Sequence, residues 1–349
     1  MKKLIGPVVK YAIDKAKRNK FIQNVFESPF DLSKLSSKGN FTDSKGNKHP
    51  LYEGLRSKIR PGWQVMLTSK AVESKVPDLD ALKSDGVLSL EKLLPLIKTA
   101  GISVKGSTIL EVGCHSGSVC YAFADEGAKE VIGSEFSGYK VESVEMNEVS
   151  DKNLQEANDD LKTLRTNLGK RFNNPDKVAF VDDDICNSRI ERNDFDIVCS
   201  WEVLEHIHDP EGAFKSIAKM LKPNGIMVHE YNPFFCLNGG HSLCTLDFLW
   251  GHTRLSEKDF EEYLDKLRPE EKERAMSFYL KGLNRMTISD LTRHIENAGL
   301  ETICILPFTK EQHVKMVDHE TLQQSSDNYP NLSLIDLVAP RVFVMARKP

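Results

Sequence analysis

The sequence predicts an α/β protein with an open, mostly parallel sheet covered by helices on both faces. Two observations carry this. Short strands alternate with helical stretches along the chain, and the strands are continuous apolar runs rather than alternating ones, as expected for strands buried on both sides. In such sheets, ligands bind beyond the carboxyl ends of the strands. The residues just after each strand are therefore the ones to read for function.

The elements follow in order. Leu88 to Ala100 has helical periodicity, with Leu90, Leu93, Leu94 and Ile97 on one face and Gly101 as the terminating glycine. Strand 107–112 runs into Gly113, and a helix is expected from Ser118 to Glu126. Strand 130–135 ends in an acid, and a long polar helical region fills 138–171. Strands 178–181 and 195–200, a helix over 211–221 and strand 226–230 continue the alternation. Asn284 to Leu291 opens a further helix, with Ser289 or Thr287 as cap. Strands at 303–307 and 341–346 follow.

Composition narrows the class. The chain has 349 residues, 40% hydrophobic and 28% charged, which excludes wholesale disorder. No stretch approaches the roughly 20 apolar residues of a membrane span. Pro7 interrupts the short apolar run at the start, which argues against a secretory signal. The net charge of −4 is uneven, because residues 1–70 hold 15 Lys+Arg against 5 Asp+Glu. A basic arm on an acidic body suits an anionic partner, an internal dock or simply a solvated surface. Residues 1–26 fit a basic amphipathic helix, open to membrane-surface contact or to packing on the core. Residues 27–80 read as a loop-rich connection or partly ordered arm. Seven cysteines without a C-x-x-C pair point to free thiols and a reducing, cytoplasmic setting.

The strand ends carry the chemistry. Glu111-Val112-Gly113-Cys114-His115-Ser116-Gly117 has two glycines four apart, so the backbone turns tightly and a ligand can come close. His115 stands where a dinucleotide fingerprint has its second glycine, so a pyrophosphate ligand loses support. Glu135, at the next strand end, suits the two hydroxyls of a ribose. The third strand ends in Asp182-Asp183-Asp184-Ile185, which would repel phosphates and suit a cationic ligand with an amino group. The fourth ends in Ser200-Trp201-Glu202-Val203-Leu204-Glu205-His206.

This ordered set resembles the class I S-adenosylmethionine-dependent methyltransferases. The likeness rests on Leu110 to Gly117, Asp184-Ile185, Phe195 to Val198, Val203-Leu204-Glu205-His206 and Leu221 to Gly225. It implies a Rossmann-like seven-stranded, mostly parallel sheet flanked by helices, with the last strand antiparallel. The extra chain becomes an N-terminal arm over 1–87, a lid insertion at 233–283 and a second insertion at 308–340. The resemblance also implies site roles. Gly113 and Gly117, with Cys114 and His115 between them, would flank the methionine portion, and Glu111 would orient its amino group. Glu135 would bind the ribose, and Asp184, with Asp183 and Ile185, the adenine. Ser200 and Trp201 would lie beside the methyl donor. The family usually has glycine at His115, which puts the shape of that loop in question.

An acceptor hydroxyl needs a base, and an unperturbed histidine titrates near neutrality. His206, His208, His229, His241 and His252 are candidates, with His206 near the donor and His229 expected at the cleft mouth. Glu202, Glu205 and His206 form E-x-x-E-H. That motif resembles the divalent-metal site of quinone-biosynthesis O-methyltransferases and small-RNA 2′-O-methyltransferases, and it suits Mg²⁺ or a transition metal. In the lid, Phe234, Phe235, Phe248 and Trp250 fit either a wall for a sugar or ring substrate or simple packing. The lid also looks loosely similar to methyltransferases found with polysaccharide biosynthesis. The leading expectation is O-methylation of a sugar, glycan precursor or other small hydroxylated metabolite. The alternatives are an RNA methyltransferase and a catalytically silent binding protein on the same fold.

Overall fold

The computed structural model describes residues 31–60, 77–138 and 151–349. The amphipathic stretch expected at 1–26 lies outside the described residues. Seven strands form the main sheet in the order β5-β4-β3-β6-β7-β9-β8. They are β3 (Thr108–Val112), β4 (Glu130–Glu135), β5 (Val178–Asp182), β6 (Phe195–Trp201), β7 (Leu221–Tyr231), β8 (Glu301–Phe308) and β9 (Arg341–Arg347). The five strands β3 to β7 pair in parallel, and β9 runs antiparallel to both its neighbours. Two further strands, β1 (Ser37–Thr42) and β2 (Lys48–Tyr52), make a separate hairpin.

Every residue of β3 is buried, and its side chains divide between the two faces with period two. Ile109 joins one core cluster with Val131, Ile197, Ile226 and Val228. Leu110 and Val112 join the other with Ile132, Val198 and Met227. Helices α1 (Leu79–Thr99), α2 (Ser118–Asp125) and α3 (Asp151–Gly169) lie on the first side. Helices α4 (Pro210–Met220) and α5 (Ile288–Asn297) cover the second. Thr287 caps α5 in a reciprocal box with Asp290.

Helix α1 starts nine residues before the expected position, because the Asp78 side chain accepts from the amides of Asp80 and Ala81. Its stripe of Gly86, Leu90, Leu93 and Ile97 faces inward. A side chain at Gly86 would meet the backbone oxygen of Ser118 at 2.5 Å, so glycine sets the close approach of α1 to α2. Strand β7 likewise begins early, at Leu221, and bulges past Asn224, whose φ is 64°.

The additions share a third hydrophobic cluster. Phe41 and Leu51 of the hairpin pack with Phe234, Phe248, Trp250, Tyr263 and Leu337. Part of the expected loop-rich arm is therefore ordered, and it docks within the molecule. Lys38 pairs with Asp247, Arg56 with Glu271, and the buried Asp259 accepts from Ser44 at 2.8 Å. Phe234, Phe235, Phe248 and Trp250 are each 1% exposed, so they fill the cap rather than present a wall to substrate. No helix among the described residues is long and apolar enough to cross a membrane.

Candidate active site

A cavity of about 290 Å³ opens beyond the carboxyl ends of β3, β4, β5 and β6. Gly113, His115, Glu135, Asp183, Asp184, Ile185, Trp201, Glu202 and His206, all singled out from sequence, line it. Glu111, Cys114, Gly117, Ser200, Glu205 and His229 are not part of its lining. A second cavity of about 1020 Å³ is lined mainly by residues of the two insertions, and His208 and Lys281 line both.

The loop after β3 turns through left-handed backbone at Gly113, His115 and Gly117, with φ of 66°, 41° and 74°. At a residue with a side chain this costs about 1–2 kcal/mol. His115 is held there from both ends. Its amide donates to Glu135 Oε2 at 2.6 Å, and its carbonyl accepts from Arg165 Nε at 2.7 Å. A side chain at Gly117 would meet the Phe180 ring at 2.4 Å, so that glycine serves packing as well as the turn.

Of the three acids at the end of β5, Asp183 has a buried oxygen open to a ligand. It is 7% exposed, its Oδ1 accepts from the Arg189 amide at 2.7 Å, and its Oδ2 has no hydrogen-bond partner among the described residues. Asp184 instead caps the turn at Ile185–Asn187 by accepting from the Cys186 amide. Asp182 accepts from Ser137.

Three residues sit differently from expectation. His229 does not face the cleft mouth. It is 1% exposed, bonded through Nδ1 to Ser200 Oγ at 2.7 Å, and burial pushes its pKa down to about 3. The reason is register. Ser200 and His229 pair across β6 and β7, and both point into the sheet's own core. Glu111 points into the opposite core, accepts from the Cys120 thiol at 2.8 Å, and is pushed up to about 8 by burial. Among the expected metal ligands, Glu202 is exposed, with φ 53°, while Glu205, His206 and His241 converge with ligand atoms within 4.8 Å of one another.

Burial raises Glu205 to about 8 and lowers His206 and His241. His206 Nδ1 donates to the Gly282 carbonyl at 2.7 Å, which leaves its lone pair on Nε2. Glu205 Oε1 accepts from the Asn232 amide, and Oε2 has no hydrogen-bond partner among the described residues. Sequence reasoning missed Lys281, Arg165 and the place of His241 beside Glu205. His241 comes from the Gly239-Gly240-His241 stretch of the cap, and nothing in its spacing from His206 points to the meeting.

A methyltransferase-domain family model matches residues 89–305. The chain belongs to that family. Its matched domain is an S-adenosylmethionine-dependent methyltransferase domain. Two curated relatives are similar over shorter stretches. One is the sterol 24-C-methyltransferase erg6 of Aspergillus fumigatus, 26% identical over 36% of this chain and 28% of that protein. The other is the mitochondrial ubiquinone biosynthesis O-methyltransferase of Dictyostelium discoideum, 25% identical over 38% of each. The chain thus spans well under half the length of either. A solved S-adenosylmethionine-dependent methyltransferase from Mesorhizobium loti superposes with a TM-score of 0.43 at 14% identity, covering 73% of this chain and 97% of that one.

The Glu111 environment has a measurable consequence. A carboxyl raised from 4.5 to about 8 holds its proton more tightly in the folded state. Its stabilising contribution is full below the unfolded value and is lost as pH rises through the folded one. Glu111→Gln keeps the volume and an acceptor for the Cys120 thiol. Chemical denaturation at pH 5 and pH 8 is expected to show a smaller loss of stability between the two for the variant than for the natural chain. An equal loss in both would mean that Glu111 is charged when folded.

Proposed function

We propose that this chain transfers the methyl group of S-adenosylmethionine to a hydroxyl of a small metabolite, such as a sugar or glycan precursor. The observation that carries the reading is the junction of the two cavities at His208 and Lys281. One cavity has the acids for a nucleoside with a positive sulfonium, and the other, larger and partly polar, shares these two residues with it.

In this reading Asp183 Oδ2 takes the adenine amino group, Glu135 the ribose hydroxyls, and the Gly113–Gly117 loop the methionine portion. Trp201 and His206 lie by the sulfonium. Catalysis is then alignment of the acceptor along the S–CH₃ axis, with His208 placed at the junction to receive the hydroxyl proton. The O-methyltransferase named among the relatives supports a hydroxyl acceptor, while the sterol enzyme named there acts on carbon. The described part of the basic arm spends Lys38 and Arg56 on the cap's own acids, which favours an internal dock over a nucleic-acid partner.

The residues also fit a divalent cation. Glu205 Oε2 is a buried oxygen with no hydrogen-bond partner among the described residues, and burial disfavours protonation of the two neighbouring imidazoles. Glu205, His206 and His241 would hold the ion, with Glu202 outside the set. When bound, it would lower the pKa of an acceptor hydroxyl.

Two experiments test these assignments. Labelled S-adenosylmethionine incubated with the protein and a metabolite extract should give a labelled small product. Asp183→Asn or Glu135→Ala should weaken donor binding about tenfold by calorimetry. Unchanged donor affinity in both variants would remove the cavity from consideration. For the metal, elemental analysis after exposure to Mn²⁺ or Zn²⁺ should find about one ion per chain, lost in Glu205→Gln and in His241→Ala. Retention in both variants would place the ion elsewhere.

A further inference from the structure

We infer that Arg165 is a positioning residue for the donor site, acting through the backbone of His115. The inference rests on the methyltransferase assignment of the domain, not on the identity of the acceptor. Arg165 lies on α3, outside the strand ends that form the donor cavity, and it does not line that cavity. Its guanidinium nevertheless meets the donor loop at several points. Nε donates to the His115 carbonyl at 2.7 Å, and a terminal nitrogen lies 3.4 Å from Cys114 Sγ and 3.7 Å from Glu135 Oε2. The group stacks over the Phe180 ring at 4.4 Å, and that ring is the one packed on Gly117.

These contacts account for the histidine at position 115. The loop needs left-handed backbone there, which glycine adopts without penalty and histidine does not. With the amide tied to Glu135 and the carbonyl to Arg165, the peptide units on both sides of His115 are fixed. The same arrangement places Glu135, because its Oε2 is oriented by the clamped His115 amide. The planar fork of arginine suits this bridging, since one group reaches a carbonyl, a thiol and a carboxylate together. The helix is itself anchored, with Tyr121 of α2 donating to the Arg165 carbonyl at 2.9 Å.

A double-mutant cycle tests the inference, read by calorimetry with S-adenosylhomocysteine on the full chain. Arg165→Met is expected to weaken binding about tenfold, the loss of a charge-assisted hydrogen bond. In the His115→Gly background the same change should cost less than about twofold, because glycine holds the turn without the clamp. Arg165→Lys should fall between, and it supplies the same comparison if the methionine variant fails to fold. Thermal melts show whether the fold is intact, but the coupling is the deciding number. No loss of affinity on changing Arg165 would overturn the inference. So would an equal loss in both backgrounds, since Arg165 would then act on Glu135 or the ligand and not through His115.

Discussion

The hydrogen bond from the His115 amide to the Glu135 carboxylate ties together the two strand ends on which the proposed donor site depends. It forms because β3 and β4 pair in parallel with Val112 opposite Ser134. The residues just past each strand therefore stand at the same height above the sheet. The turn out of β3 passes through left-handed backbone three times within five residues, at Gly113, His115 and Gly117. That opens a space where side chains would otherwise fill it. Asp183 reaches the same level from β5, whose final residue pairs with Glu135. The parallel register of three strands thus assembles an acidic cavity from residues far apart in the chain, suited to a cationic nucleoside.

The sheet also decides what stays out of that cavity. Alternation along a strand sends neighbouring residues to opposite faces. Glu111, Ser200 and His229 sit within strands rather than past them, so they are enclosed, and each keeps one local partner, Cys120 for Glu111 and the Ser200–His229 bond for the other two. Burial then disfavours charge on both Glu111 and His229. The cap obeys a different constraint. It has its own apolar cluster, built from the hairpin, residues 234–283 and the segment near Leu337, and its position leaves a roomy cavity over the junction at His208 and Lys281.

Much of the fold was legible because local signals and tertiary demands agreed. Apolar runs such as Ile109 to Val112, and caps such as Thr287, marked elements that the structure keeps. Boundaries moved where a polar side chain extended an element, as Asp78 does for α1. The hairpin at 37–52 was not visible, since its strands hold few apolar residues and are stabilised by the distant cap. For the site, strand ends could be read from the chain, but orientation could not. His229 pointed inward, Asp183 kept a buried oxygen with no partner among the described residues while Asp184 capped a turn, and His241 replaced Glu202 beside Glu205. Each of these depends on register, turn geometry or a contact between segments remote in sequence. Arg165 has no local motif at all, and its role follows from the helix packing that brings it to His115.

The most direct measurement of the central claim is an experimental structure of the chain with S-adenosylhomocysteine bound. The ribose hydroxyls are expected on Glu135, the adenine amino group at Asp183 and the sulfur facing the junction at His208 and Lys281. A nucleoside bound outside this cavity would contradict it. A sulfur turned away from the larger cavity would also contradict it, because no acceptor held there could then be aligned with the methyl group.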